Sequence, residues 1–80
     1  MQELQEMKSE KLKNFGLFIK YERFKIGLTQ QELANRMGCT RQLVCRFEKG
    51  KNNPMIKKQK ELARALKISV KELRKKFEEC

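Results

Sequence analysis

The sequence predicts an all-α fold of five helices in one small domain. Apolar residues recur at three- and four-residue spacings along the 80-residue chain, which is the period of amphipathic helices. Threonine or serine precedes several of these stretches and glycine follows several of them, as expected for short helices with distinct start and stop signals. The length suits a single domain and leaves little room for a second.

The first helix is predicted from Leu12 to about Ile26. Residues 1–11 form a polar N-terminal extension that either remains a flexible tail or prolongs this helix, and their composition favours the tail. Phe18 and Phe24 lie off the apolar stripe, where they either cover the domain edge or join an association surface. The residues expected to face the core are Phe15 and Ile19.

The second and third helices are marked by strong local signals. Thr29 and Glu32 have the spacing of a capping box, in which the two residues satisfy each other's backbone N–H groups. Gly38 ends the second helix, because a left-handed residue is most easily adopted there by glycine. Thr40 then caps the third helix, and Gly50 ends it. The sequence therefore predicts a helix, a tight turn and a second helix.

The apolar residues of these two helices predict how they pack. One face of the second helix carries Leu33, Ala34 and Met37, and Val44 and Phe47 form the facing stripe of the third. The third helix is left with a polar side, on which arginine can pair with guanine and glutamine with adenine in the major groove of DNA. The alternative is an ordinary solvated face. The residues on this side are Arg41, Gln42, Cys45, Arg46 and Lys49.

The fourth helix follows a polar connection. Asn53 is predicted as its cap, with Pro54 at the first helical position, and the helix should extend to about Lys67. Gln59 and Lys60 interrupt the apolar pattern, so this helix should either pack more loosely or make a polar contact. Its inward residues are predicted to be Ile56, Ala63 and Leu66.

The fifth helix begins with a second capping-box pattern, formed by Ser69 and Glu72. It is predicted to run to about Phe77, with Leu73 closing the core. Val70 and Phe77 are equally consistent with the fringe of the core and with a dimer contact.

A specific combination of residues spans the second and third helices: Gln30, Ala34, Gly38 and Val44, followed by Phe47, Glu48 and Gly50. With this spacing the sequence resembles the Cro and phage-repressor-like (XRE) helix-turn-helix family. The resemblance continues to Lys76 and implies a five-helix lambda-repressor-like DNA-binding domain at residues 12–77, followed by a C-terminal tail at 78–80. The fourth helix departs from the family pattern, which usually has leucines at Gln59 and Lys60.

The resemblance implies three sets of functional residues. A structural ion pair would join Arg23 in the first helix to Glu48 near the end of the third. Bases would be read by Arg41, Gln42, Cys45 and Arg46. Phosphates would be bound by Gln30, Thr40, Lys49, Lys51 and Asn52.

Charge supports a polyanionic partner, and double-stranded DNA is the one we expect. Twenty basic side chains oppose ten acidic ones, giving a net charge of +10. Because one short helix reads too few bases to select a single genomic site, we expect a homodimer that acts as a repressor on a palindromic operator.

Other functions are consistent with the same sequence features. A DNA-binding antitoxin or restriction-modification controller would share the reading helix, and a toxin or polymerase contact is left open. A protein-interaction module would instead use the basic face against an acidic protein. An enzyme is not expected, because the chain has no histidine and no aspartate from which to build acid–base chemistry.

The cysteines and the hydropathy point to a cytoplasmic protein without a cofactor. Three cysteines without any histidine predict reduced thiols rather than a metal site or a structural disulfide. Apolar runs are too short to span a bilayer, and a secretory signal is not visible, so we expect no membrane partner.

Overall fold

The structure is a computed structural model that describes the backbone of residues 2–79 and the side chains of residues 10–79. All regular structure within these residues is α-helical, which confirms the predicted fold class. The five helices are α1 (Gln2–Lys25), α2 (Gln30–Met37), α3 (Arg41–Glu48), α4 (Ile56–Leu66) and α5 (Val70–Glu79).

The helices surround one apolar core. α3 packs against α1 and α2, while α4 packs against α2 and α5. Each helix therefore covers part of a core whose largest fully buried side chains are Phe15, Ile19, Leu33, Val44, Leu62, Leu66 and Leu73.

The predicted helix signals around α2 and α3 are confirmed. The Glu32 N–H donates to the Thr29 hydroxyl at 3.1 Å, and the Thr29 N–H donates to the Glu32 carboxylate at 2.9 Å. The hydrogen bond from the Thr29 backbone lowers the pKa of Glu32, which keeps the capping carboxylate ionised. Gly38 ends α2 at a φ of 68°, and the Thr40 hydroxyl accepts from the Leu43 N–H. The turn that sets the angle between α2 and α3 is thus fixed by local chemistry.

The N-terminal boundary of α1 differs from the favoured expectation. The helix begins at Gln2, so residues 2–11 follow the second alternative and prolong the helix. Glutamate, glutamine and lysine have good helix propensity, which supports continuation in the absence of an apolar stripe. The limits of the independently folding domain, residues 12–77, stay a prediction.

The start of α4 was predicted wrongly. Met55, not Asn53, is the N-cap, and Pro54 is buried just before it. Ile56 was expected to face inward but is 58% exposed, because the buried stripe of α4 begins one turn later. That stripe begins with Gln59, whose side-chain amide donates to the Pro54 carbonyl at 3.1 Å. The polar contact considered for Gln59 is therefore the one observed, and it closes the connection onto the helix.

The ambiguous apolar residues of α5 belong to the fringe of the core. Val70 and Phe77 are partly buried and pack against the buried cluster. The Phe77 ring meets Phe15 edge to face, with ring centroids 4.9 Å apart. These two side chains are accordingly engaged within the monomer.

Residue spacing did not indicate one close approach between two helices. α1 crosses the end of α3 at Gly16, where a Cβ atom would lie 2.5 Å from the Phe47 carbonyl oxygen and clash with that of Glu48. Glycine is therefore the residue that lets the two backbones touch. This contact fixes the C-terminal end of α3, the helix that carries the predicted reading residues.

Candidate nucleic-acid interface

α3 has one buried side and one open side. Val44 is fully buried and Phe47 is 4% exposed, so these residues fix the helix to the core. Arg41, Gln42 and Arg46 are exposed, and Cys45 is half-buried. The structure thus brings the four predicted base-reading residues together on the outward side of a single helix.

The predicted phosphate-binding lysines lie beside this side of α3. Lys49 is the C-cap of the helix, and Lys51 follows the turn at Gly50. Both lysines are exposed, and Thr40 is exposed at the opposite end of the helix. One shallow, open depression is lined by Arg41, Gln42, Cys45, Arg46, Lys49 and Lys51.

Asn52 has a contact that the sequence did not indicate. The Arg46 Nε donates to the Asn52 side-chain oxygen at 3.0 Å. This bond restrains the arginine and leaves both terminal nitrogens of its guanidinium available as donors. Asn52, predicted as a phosphate contact, instead orients the side chain of Arg46, which is predicted to read bases.

Arg23 and Glu48 meet in a buried, two-point ion pair. The Arg23 Nε donates to Glu48 Oε2 at 2.7 Å, and Nη2 donates to Oε1 at 3.1 Å. The remaining arginine nitrogen, Nη1, donates to the Leu28 carbonyl at 2.8 Å. The exposed fractions of the two residues are only 5% and 7%, so the pair joins α1 to the end of α3 away from water.

Gln30 is connected to the same pair. Its side-chain amide donates to Glu48 Oε1 at 3.1 Å, while the residue stays half-exposed at the first position of α2. An amide has a second N–H, which is not needed for this bond. The buried Glu48 carboxylate thus orients the Gln30 side chain, which is predicted to bind a phosphate. Residue spacing alone did not indicate this contact.

Cys45 is the thiol among the predicted base-reading residues, and Cys39 is a second half-buried thiol in the turn before α3. Burial raises the pKa of the half-buried Cys39 thiol, which favours its protonated form. Cys80 lies outside the described residues. In the part of the chain that was searched, no three metal-ligating side chains cluster, and no helix is long and apolar enough to cross a membrane.

These features define a class of protein: a small helical domain with a capped helix, a glycine turn and an outward basic helix. The helix-turn-helix family model matches residues 19–75, and the chain belongs to this family. The resemblance found in the sequence is thereby confirmed.

Curated relatives share this part of the chain. An uncharacterised helix-turn-helix transcriptional regulator of Methanothermobacter thermautotrophicus is 46% identical over 48 residues, which cover 60% of this chain and 70% of the relative. A second, from Archaeoglobus fulgidus, is 38% identical over 55 residues, covering 69% and 78%.

The fold is also similar to that of a solved protein. The crystal structure of the restriction-modification controller protein C.AhdI from Aeromonas hydrophila matches with a TM-score of 0.74 at 35% identity. The match covers 78% of this chain and 94% of the controller.

Proposed function

We propose that this protein is a transcriptional regulator that binds double-stranded DNA sequence-specifically by inserting α3 into the major groove. The observation that carries this proposal is the two-sided character of α3. Its apolar residues are buried, whereas arginine and glutamine project from its N-terminal half into solvent. An exposed arginine or glutamine can form paired hydrogen bonds with guanine or adenine in that groove.

The surrounding residues supply positioning. Gln30 and the first N–H groups of α2 would bind one phosphate, and Lys49 and Lys51 would attract others. The Arg23–Glu48 pair keeps the end of α3 fixed, so little ordering is needed when DNA binds. Base contacts by Arg41, Gln42 and Arg46 would then decide which sequence is preferred.

The working form on DNA would be a symmetric homodimer. An eight-residue helix contacts only a few base pairs, so two copies are needed for adequate selectivity. A two-fold dimer requires a palindromic operator with half-sites about 34 Å apart. Occupying such an operator within a promoter would repress transcription.

A restriction-modification controller is the second candidate, favoured by the similarity to C.AhdI over nearly the whole of that protein. The reading helix would act in the same way, but the regulated genes would encode a nuclease and its methyltransferase. Transcription of the genes adjacent to the operator, measured with and without the protein, separates this role from that of another repressor.

Selection of bound duplexes from a random library tests the proposed function. We expect enrichment of one palindromic sequence, whose affinity exceeds that for random DNA by about 10³-fold or more at physiological salt. Recovery of unrelated sequences with equal affinity at every ionic strength would contradict sequence-specific binding and favour a module that uses the basic face for another partner.

Arg41→Ala is expected to weaken binding to the selected duplex more than binding to random DNA. The loss of a paired contact with a base should cost about 1–3 kcal/mol of discrimination, measured by competition titration. Arg64→Ala is the matched control, because Arg64 is an exposed arginine on α4 and its removal changes the charge equally. An equal loss on both duplexes for Arg41→Ala would argue against base reading.

Lys51→Ala should behave differently, because an ammonium group on a phosphate adds affinity without sequence information. We expect weaker binding to all duplexes alike, and a salt dependence whose logarithmic slope falls by about one. Lys71→Ala, which removes an exposed lysine from α5, is the control. A selective effect of Lys51→Ala on the preferred duplex would instead assign that lysine to base recognition.

A further inference from the structure

The proposed function leaves the exposed apolar face of α1 unused. Leu17, Tyr21 and Phe24 are 60%, 62% and 60% exposed, although all three are large and apolar or aromatic. Their spacing of four and three residues places them in one line along the helix. The line runs beside a groove between α1 and α5, which we call the α1–α5 groove and whose rim includes Glu72, Lys75 and Glu79.

We infer that this face binds a second copy of the same chain and forms the two-fold interface of the dimer. The inference rests on the proposed function in one respect, because that function requires two reading helices. The surface itself is assigned from area and charge. Val70 and Phe77 on α5 offer less apolar surface than this face, because both are partly buried against the core.

The exposed area is sufficient for a dimer of modest stability. A large side chain that is about 60% exposed leaves about 100 Å² accessible, so the three residues present about 300 Å² per copy. Two copies would bury about 600 Å² of apolar surface. Since about 60% of an interface is apolar, the total would be about 1,000 Å², which is the lower limit for a specific interface.

Charge also favours self-association at this face. The chain carries +10, so two copies repel each other over most of their surfaces. The α1–α5 groove is an exception, because two exposed carboxylates (Glu72 and Glu79) accompany two exposed lysines (Lys75 and Lys76). A two-fold interface presents the same patch twice, so it requires both signs of charge within one patch. The groove meets that requirement, whereas the depression beside α3 is lined by basic groups without a carboxylate.

The first test compares two matched variants by sedimentation equilibrium of the full chain without DNA, under reducing conditions that prevent crosslinking through Cys80. Leu17→Glu adds a carboxylate to the face, and Ile56→Glu adds one to a residue that is equally exposed on α4. We expect the dimer dissociation constant to rise about tenfold or more for Leu17→Glu and to stay unchanged for Ile56→Glu. Circular dichroism should report the same helicity for both.

The second test uses complementary charges. One variant carries Glu72→Lys and Glu79→Lys, and the other carries Lys75→Glu and Lys76→Glu. Each alone should dimerise more weakly than the original chain, and a mixture should form a heterodimer, which a folding defect could not produce. A dimer that is insensitive to Leu17→Glu and to both charge variants would overturn the inference. A chain that stays monomeric at all accessible concentrations would also overturn it. That result would indicate that the face binds a different protein.

The dimer interface and the proposed DNA-binding function can be contradicted independently of each other. If Leu17→Glu abolishes the dimer, its monomer should still prefer the same half-site over random DNA, with lower affinity. If the dimer behaves as expected but neither form distinguishes DNA sequences, the proposed function is wrong and the interface stands.

Discussion

Arg23→Ala is expected to lower the free energy of unfolding by about 3–5 kcal/mol, because it leaves the Glu48 carboxylate buried without its partner. A domain of this size has about 4–12 kcal/mol of stability in total, so the variant should lose a large share of it. Urea titration followed by circular dichroism measures the change. Lys58→Ala is the control, since it removes a more exposed pair with Glu61 that should contribute about 0–1 kcal/mol.

A double-mutant cycle distinguishes the ion pair from general damage. Arg23→Met and Glu48→Leu should each be strongly destabilising alone, whereas the double variant should recover much of the loss because neither charge remains buried. Additive losses, with no coupling between the two residues, would contradict the role assigned to the pair in holding α3 to α1.

Gly16→Ala should also destabilise the fold, by about 1–3 kcal/mol, because the added methyl group meets the backbone carbonyls of Phe47 and Glu48. The direction is informative, since the same change in an exposed helix interior is stabilising by about 1 kcal/mol. Asn14→Ala, at an exposed position of the same helix, is the control. Equal thermal midpoints for Gly16→Ala and the original chain would show that α1 and α3 can separate without loss.

Local signals made much of this fold predictable. The caps at Thr29 and Thr40 and the stop at Gly38 depend only on residues within a few positions, so the sequence places them well. The core was predictable where apolar residues repeat at helical spacing, as with Phe15 and Ile19. Errors arose where local rules compete. Asn53 and Pro54 form a good start signal, but the contact between Gln59 and the Pro54 carbonyl places the beginning of α4 later.

The candidate site was predictable only in part. Helical spacing places Arg41, Gln42 and Arg46 on one side of α3, so their exposure follows from the sequence. The bonds from Arg46 to Asn52 and from Gln30 to Glu48 depend on how separate segments meet, and spacing does not encode that. Gly16 was missed for the same reason, since its neighbour in space is the end of another helix.

Major-groove reading by α3 is tested most directly with modified purines in the selected duplex. Replacing N7 of guanine or adenine with carbon (7-deazapurine) removes an acceptor from the major groove only, whereas inosine in place of guanosine removes a donor from the minor groove only. We expect the 7-deazapurine duplex to bind about tenfold or more weakly and the inosine duplex to bind nearly as well as the original. Normal binding to the 7-deazapurine duplex together with loss on the inosine duplex would contradict recognition through the open side of α3.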